Sequence, residues 1–373
     1  MRKTWAVALK ELRQAFRDPL SLGMLIALPT FILLLYGYAL NFDVKHVALA
    51  VQDRDKSQES RDLVASFVNT PYFDLAADLD AGADFARLTE SRRARAILVI
   101  PEGFSRELAA GRTADVQMIL DGADANTASI VLSYATAIVA DANVRILRAA
   151  MGSTAGTIVP IDYQPRVWYN PELKSTHFLV PGLIGFILML TAVVSTALSI
   201  AREKERGTME QLRVAPLGSG HLLFGKTLPY LGISAIATVL ILVAARILFG
   251  VVIRGPYLDL AIATFLYLVD GLLFGLFISS VSHTQAMAFQ AGTVTSMLPA
   301  ILLSGFVFPI RSMPEVLQYV TYLVPARYYL VILRGIILKG AGLGQFVREL
   351  ALLTVYGVVV FALASVLRRR KEA

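Results

Sequence analysis

The sequence predicts an α-helical polytopic membrane protein of six transmembrane helices, with an α/β domain inserted after the first helix. Of its 373 residues, 56% are hydrophobic and 17% are charged, whereas a soluble protein has about a quarter of its residues charged. Six stretches are apolar over about 20 residues, the length at which a helix crosses the hydrocarbon core. Residues 42–175 differ, because their 14 basic and 18 acidic side chains are typical of a soluble domain.

The predicted first span covers residues 21–41, and a five-helix transmembrane region covers residues 176–367. The spans within that region are predicted at about 178–200, 223–250, 257–281, 285–308 and 346–367. The first stretch ends without the small residues of a signal-peptide cleavage site, which indicates a retained span.

Basic residues near the span ends predict the orientation, because positive charge stays on the cytoplasmic side of a membrane. Such clusters occur at the N-terminus, in the loop after the second span and in the basic tail 368–373. With six spans all three lie on one side, so both termini are predicted to be cytoplasmic. Residues 42–175 are then periplasmic, and the protein is expected in a bacterial inner membrane.

Residues 1–20 are predicted to form a cytoplasmic interfacial helix. Trp5, Leu9, Leu12 and Phe16 recur at helical spacing, with basic residues around the rest of the helix. A helix of this kind lies in the headgroup plane. The alternative is that these residues are merely the polar start of the first span.

The periplasmic domain is predicted to alternate short strands and helices, the pattern of a compact α/β domain. The strands are predicted at 47–51, 96–100, 116–120 and 162–169, and the helices at 58–68, 82–94, 102–110 and about 124–150. The aspartate pairs 53/55 and 121/124 follow strands, where aspartate more often caps turns than binds a cation. The chain has no cysteine and no catalytic motif, so no catalytic residue and no metal site is predicted.

Residues 220–227 match the pattern G-x-x-x-x-G-K-[ST] of a phosphate-binding loop. That loop needs a preceding strand and small residues whose N–H groups converge on phosphate. Here bulky residues fill the middle of the pattern, and an apolar span follows directly. The sequence therefore predicts that this chain does not bind ATP, and that Lys226 anchors the third span at the headgroups.

The loop after the second span, 201–217, is dense in charge and favours helix until Gly207-Thr208 interrupts it. A second short helix to Pro216 would have an apolar edge that includes Leu212. A short amphipathic helix of this kind suits docking with a soluble partner. An ordinary charged loop is the alternative.

Segment 309–340 is apolar but is broken by Pro309, Pro314 and Pro325. Irregular backbone survives at membrane depth only where it is buried in protein or lines a cavity. The prediction is therefore a re-entrant helix–turn–helix in the outer leaflet. It would also explain why this segment carries basic residues on the side opposite to the other clusters.

Asp270 lies in the middle of the fourth predicted span. A carboxylate at that depth costs about 2.5–3.5 kcal/mol on insertion scales, so it should face the bundle interior or a cavity. Either a polar point on a substrate path or an interhelical hydrogen bond would satisfy this expectation. Gly271, Gly275 and Ser279, four residues apart, predict close packing of the same helix.

Two segments resemble the hallmark regions of ABC-2 type transport permeases: REKERGTMEQLRVAPL after the second span, and SGFVFPIRSMPEVLQYVTYLVPARYYLVILRGIILKG. LFGKTLPY, at the start of the third span, also resembles that family and accounts for the apparent phosphate loop. The match covers about 178–367. The layout of one span, a large outside domain and five further spans resembles the long bacterial drug-exporter subgroup.

This resemblance implies an ABC-2, or type V, exporter fold in which two permeases, identical or paralogous, work with two separate ATPase subunits. ATP and magnesium would bind to the ATPase, and no cofactor is expected in this chain. Loop 201–217 would be the coupling helix that contacts the ATPase. The residues that transmit force from the ATPase would then be Glu203, Arg206, Gly207, Thr208, Glu210, Leu212 and Pro216. The exit, or re-entrant, segment would include Gly305, Pro309, Met313, Pro314, Pro325, Arg334 and Gly335. Asp270 remains a possible point on the substrate path, outside what the resemblance implies.

The substrate is expected to be drug-like, amphipathic or lipidic, because no ring of charges indicates an ion filter. A periplasmic adaptor is a further candidate partner beside the bilayer, and nucleic acid is not expected. An ion-driven secondary transporter would show repeated halves and several midplane charges, and the sequence shows no repeat and one midplane carboxylate. A membrane-anchored receptor or enzyme would need clustered catalytic groups in 42–175, and none is found.

Overall fold

A computed structural model describes residues 2–39, 44–80, 82, 85–90, 93–123, 125–151, 169, 174–207 and 219–372. Contacts within the chain divide it into a helical unit, residues 1–41 with 166–373, and an α/β unit, residues 42–165. Four predicted coupling residues, Thr208, Glu210, Leu212 and Pro216, lie outside the described residues. So does the predicted strand 162–169, apart from Tyr169.

In chain order the described residues form α1 (Arg2–Phe16), α2 (Pro19–Ala39), β1 (Val47–Asp53), α3 (Gln58–Val68), β2 (Phe73–Asp78), α4 (Phe85–Glu90), β3 (Ala96–Ile100), α5 (Phe104–Ala109), β4 (Gln117–Leu120), α6 (Ala125–Met151), α7 (Ser175–Glu205), α8 (Ser219–Phe249), α9 (Tyr257–Val281), α10 (Gln285–Leu302), α11 (Glu315–Val320), α12 (Pro325–Lys339) and α13 (Val347–Glu372). Short 3₁₀ turns occur at Ile310–Ser312, Thr321–Leu323 and Leu343–Phe346.

Four helices of the helical unit, α7, α8, α9 and α13, are long and apolar enough to cross a membrane. The apolar part of α2, Leu25–Ala39, is shorter. Helix α10 ends at Leu302 rather than at the predicted residue 308, and the left-handed Gly305, with φ of 81°, lies two residues beyond its C-cap, Leu303. Residues Glu315–Leu323 and Pro325–Lys339 are together apolar enough for a span but bend by 84° between the two helices, which is the geometry of either a broken span or a re-entrant loop.

Helix α7 forms the centre of the helical unit and is buried along most of its length. Its closest neighbour is α9, where a Cβ atom on Gly275 would lie 2.1 Å from Oγ1 of Thr196. The same hydroxyl donates a 2.9 Å hydrogen bond to the carbonyl of Leu272. The close packing predicted from the small residues of this helix is therefore confirmed at Gly275.

The α/β unit contains a four-stranded sheet in the order β2-β1-β3-β4. Strand β1 is parallel to β2 and to β3, and β4 is antiparallel to β3. Inward residues of β1 and β3, such as Leu49 and Leu98, pack against Val131 and Ala135 of α6. Strand β2 was not predicted from the sequence, because this edge strand (FDLAAD) buries only Phe73 and carries two aspartates.

Helix α6 meets the length and composition criterion for a membrane span over residues 127–146. It nevertheless places side chains in the core beneath the sheet, in agreement with its predicted position in the α/β domain. Of the two predicted aspartate pairs, Asp53, Asp55 and Asp121 cap turns as predicted, and Asp124 lies outside the described residues. Asp53 accepts hydrogen bonds from the N–H groups of residues 55 and 56, and Asp55 accepts them from Gly103 and Ser105.

Candidate functional site

The predicted site residues that the structure describes lie at three places in the helical unit. Glu203, Arg206 and Gly207 lie at the C-terminal end of α7, Arg334 lies in α12, and Asp270 lies in the middle of α9. Each place is formed by different neighbouring helices, so the structure does not combine them into one site. They are described in turn.

Glu203 belongs to a buried cluster of four charged side chains that joins α1, α7 and α8. The Nζ atom of Lys226 lies 2.7 Å from Oε2 of Glu203 and 3.0 Å from Oε1 of Glu11. Lys10 lies 3.2 Å from Glu11 and also pairs with Glu203. The hydroxyl of Ser199 lies within hydrogen-bonding distance of both Glu11, at 3.1 Å, and Lys226, at 3.3 Å. We call Lys10, Glu11, Glu203 and Lys226 the charged quartet.

The quartet balances its charges almost entirely within the protein. Lys226 is fully buried, Glu11 and Glu203 are nearly so, and only Lys10 is partly exposed. Burial acts to raise the pKa of the Glu11 carboxyl, but the charges of Lys226 and Lys10 outweigh it and hold that pKa below its ordinary value. Burial likewise acts to lower the pKa of Lys10, but its hydrogen bond to Glu203 and the nearby carboxylates raise that pKa instead. A buried ion pair contributes little net stability, yet removal of one partner costs about 3–5 kcal/mol. The quartet therefore holds three helices in one arrangement.

The structure tests two sequence-based predictions about this region. The prediction that Lys226 anchors a span at the headgroups is wrong, because the residue is completely buried between carboxylates. The prediction that residues 220–227 do not form a phosphate-binding loop is confirmed, because they lie in the first turns of helix α8. Glu203 is too buried to contact a partner protein itself, so any coupling role must act through the quartet.

The residues that follow Glu203 attach α7 to α9 and α10. The Nζ atom of Lys204 donates hydrogen bonds to the carbonyl oxygens of Ser282, at 2.8 Å, and Ser280, at 3.3 Å, at the end of α9. A cation is favourable there because the last carbonyls of a helix carry partial negative charge. Glu205 accepts a 2.8 Å hydrogen bond from the backbone N–H of Gln285, the first residue of α10.

Arg202 extends this pattern to the turn between α1 and α2, because its guanidinium lies 3.4 Å from the carboxylate of Asp18. Each of the four consecutive side chains 202–205 thus contacts at least one neighbouring helix or the turn beside it. Helix α7 then ends where Gly207 adopts a left-handed conformation with φ of 71°. The side chain of Arg206 is exposed beside that end.

Arg334 of α12 is the centre of the second place. Its guanidinium donates hydrogen bonds to the carbonyls of Gly305 at 2.9 Å, Phe306 at 3.3 Å and Phe178 at 3.4 Å, and it lies 3.7 Å from the centre of the Phe178 ring. These contacts connect α12 to the loop after α10 and to the start of α7. Arginine suits this role, because its planar group can donate several hydrogen bonds and also stack on an aromatic ring.

The other predicted members of the exit segment divide into two groups. Gly335 packs closely on the ring of Phe346, which a Cβ atom would approach to 2.1 Å, and Pro325 is buried at the first position of α12. Pro309 and Pro314 are exposed in the turns before α11, and Met313 between them is half-buried. Arg334 therefore contacts Gly305 but not this proline-rich turn.

Asp270 is completely buried in α9, in agreement with the expectation that it faces the bundle interior. Neither carboxylate oxygen has a hydrogen-bond partner among the described residues, so an interhelical hydrogen bond is not what holds it there. Oδ1 lies against the backbone of Gly357 in α13, 2.4 Å from where a Cβ atom of that residue would be. A glycine at position 357 is therefore what allows the two helices to approach.

An apolar cavity of about 370 Å³ lies between α10 and α13. Phe274 and Phe277 of α9 contribute to it, together with Pro299, Tyr356 and Leu363. Its polar side chains are Thr295, Ser296 and Tyr356. A pocket of this size and composition suits an apolar or amphipathic molecule.

Long apolar helices packed around a central helix, with a cluster of paired charged side chains at one end, are the architecture of a multi-pass membrane protein. A family model described as ABC-2 family transporter protein matches residues 20–366. The chain belongs to this family and is a permease component of an ABC transporter.

Similar proteins agree with this assignment over nearly the whole chain. The probable multidrug ABC transporter permease YbhS of Escherichia coli is 34% identical over 91% of this chain and 89% of its own length. The probable multidrug ABC transporter permease YbhR of the same organism is 32% identical over 99% of both chains. The linearmycin resistance permease protein LnrN of Bacillus subtilis is 21% identical over 97% of this chain and 98% of its own. These names confirm the expectation that the chain is a permease and not an enzyme.

Lys10 and Glu11 were not predicted from the sequence as members of a site. One signal was available, because Glu11 shares a helix face with Val7, which packs against Gly225 of α8, and with the buried Ala8. A carboxylate on the inward face of an amphipathic helix requires a buried partner.

Proposed function

We propose that this chain is the membrane half of a multidrug-type exporter, driven by a separate ATPase subunit that docks on residues 201–217. The family assignment and the names of the similar permeases support the proposal. The observation that carries it is the end of α7, where side chains 202–205 contact α1, α8, α9, α10 and the turn before α2.

The proposed coupling acts through this end of α7. A force applied at the exposed Arg206 reaches Glu203 within one helical turn, and through it the charged quartet. Because packed, fully paired elements move as units rather than deform, the ends of the attached helices shift together. Thr208, Glu210, Leu212 and Pro216 form the proposed contact with the ATPase, while Glu203 transmits the movement. ATP and magnesium bind to the ATPase and not to this chain.

The proposed substrate is drug-like, amphipathic or lipidic, and it leaves the cytoplasm. The apolar cavity of about 370 Å³ between α10 and α13 supports this class. A second permease, identical or paralogous, completes the membrane part. Segment 309–340, attached through Arg334, forms the outer exit, and Asp270 is a candidate polar point on the path. Both termini are cytoplasmic in an inner membrane, and the α/β unit is periplasmic, where an adaptor is a further candidate partner.

The experiment is co-purification in lipid nanodiscs with a candidate ABC ATPase subunit. Arg206→Ala removes an exposed residue of the coupling segment and should weaken binding of the ATPase. Glu203→Gln should leave binding intact but reduce the permease-dependent ATPase activity, because the changed residue is buried. The matched control is Arg246→Ala, an exposed arginine in the last turn of α8.

Weaker ATPase binding in Arg206→Ala would support the proposal. So would a lower permease-dependent ATPase activity with unchanged ATPase binding in Glu203→Gln. A chain that purifies alone, or an ATPase whose activity is indifferent to both changes, would refute it.

A further inference from the structure

A basic cleft of about 740 Å³ lies between α1 and the C-terminal end of α7. Its charged lining comprises Lys10, Arg13, Arg17, Asp18, Arg202 and Arg206. Five of these side chains are basic and one is acidic. The cleft therefore has a strong positive charge at one end of the helical unit.

Only part of that charge is compensated within the described residues. Lys10 pairs with the glutamates of the charged quartet, and Arg202 pairs with Asp18 at 3.4 Å. Arg13, Arg17 and Arg206 are exposed, and their guanidinium groups make no ion pair with any residue that the structure describes. Three guanidinium groups are thus available to one anionic ligand.

Helix α1 places this cleft beside an exposed apolar strip. At 100° per residue, α1 has one face with Val7 and Glu11, which are buried in the unit. The next strip contains Trp5 and Phe16, both 65% exposed. The basic residues lie between those two strips. Aromatic rings beside basic side chains are typical of a helix in the headgroup region of a membrane.

We infer that the cleft binds the headgroup of an anionic phospholipid through Arg13, Arg17 and Arg206. A guanidinium binds phosphate oxygens with paired hydrogen bonds, so three of them select an anionic headgroup over a zwitterionic one. The acyl chains extend along the strip that contains Phe16. An acidic segment of a protein would match the charge of the cleft but not this neighbouring apolar strip. The inference shares Arg206 with the proposed ATPase contact, whereas Arg13 and Arg17 belong to the cleft alone, so the single variants of these two arginines test the lipid site separately from the coupling.

The chain itself offers a reporter for this lipid, because it contains only two tryptophans, Trp5 and Trp168. In the full-length variant Trp5→Phe/Trp168→Phe/Phe16→Trp, a single tryptophan lies next to the cleft. Its fluorescence is measured in phosphatidylcholine vesicles that contain a few mole per cent of either brominated phosphatidylglycerol or brominated phosphatidylcholine. Contact with bromine quenches the signal, so stronger quenching by the anionic lipid reports its preferred binding.

The expected result is a clear preference for phosphatidylglycerol that falls about fivefold for each guanidinium removed. The variants are Arg13→Gln, Arg17→Gln and Arg206→Gln, each tested alone and all three together. If the triple variant does not fold, the single variant Arg17→Gln provides the result. The matched control, Arg368→Gln/Arg369→Gln/Arg370→Gln, removes three arginines from the basic tail and should keep the preference. Excess soluble glycerophosphate should also leave it unchanged.

Four results would overturn the inference. The two brominated lipids could quench equally, or the tail variant could lose the preference as strongly as the cleft variants do. Competition by soluble glycerophosphate would assign the cleft to free phosphate. Loss of ATPase binding in the cleft variants, with the lipid preference unchanged, would assign it to the partner protein.

Discussion

Replacement of Lys226 by methionine tests whether the charged quartet stabilises the bundle. The side chain is fully buried and lies 2.7 Å from Glu203 and 3.0 Å from Glu11. Methionine preserves most of the volume, so the main change is the loss of one positive charge. Two buried carboxylates would then share Lys10 alone. Loss of one partner of a buried pair costs about 3–5 kcal/mol. The cost should lie near the lower limit, because Lys10 contacts both carboxylates.

The measurement is equilibrium unfolding of purified Lys226→Met in mixed micelles, compared with the unchanged protein. The double variant Lys226→Met/Glu11→Gln should recover most of the lost stability, because Lys10 and Glu203 remain as a neutral pair. Lys339→Met is the control, since Lys339 is an exposed lysine at the end of a helix and should change stability by about 0.5 kcal/mol at most. A Lys226→Met protein as stable as the control, or a double variant less stable than the single one, would refute the reasoning.

Two further predictions concern pH and helix packing. The pKa of Glu11 is lowered in the folded protein, so its contribution to stability is present above the ordinary carboxyl pKa and is lost as pH falls through the lowered value. Unfolding midpoints measured from about pH 7 to pH 3 should therefore fall less steeply for Glu11→Gln than for the unchanged protein, and parallel curves would contradict this. Gly357→Ala should destabilise the protein by about 1–3 kcal/mol, because the new Cβ atom would lie 2.4 Å from Oδ1 of Asp270. Gly344→Ala, with nothing within 4 Å of the added atom, should be nearly neutral in the same unfolding assay.

Hydropathy predicted the helix bounds of the helical unit well at positions where the composition of the chain changes abruptly. Helix α9 has the predicted bounds, 257–281, because Pro256 precedes it and polar residues follow it. Helix α7 is longer than its predicted span, 178–200, and continues to Glu205. Hydropathy detects the part of a helix that suits lipid, and the charged residues after 200 continue the same helix beyond it.

The candidate site was harder to predict, because its contacts join distant parts of the chain. The residues that surround Lys226 come from the N-terminal helix and from the end of α7, and a single sequence contains no information about such pairing. Its position before an apolar span indicated a headgroup anchor, which is the common role of a lysine at that place. Glu203 was identified through its segment, but its burial could be seen only in the folded protein.

The attachment of four consecutive α7 residues to different helices restricts the kinds of change that this stretch can accept. A helix turns by 100° for each residue, so inserting or deleting one residue between Ser199 and Arg202 would rotate side chains 202–205 away from all of their partners at once. A substitution, in contrast, removes one attachment and leaves the others. The end of α7 should therefore accept changes of residue type far more readily than changes of length.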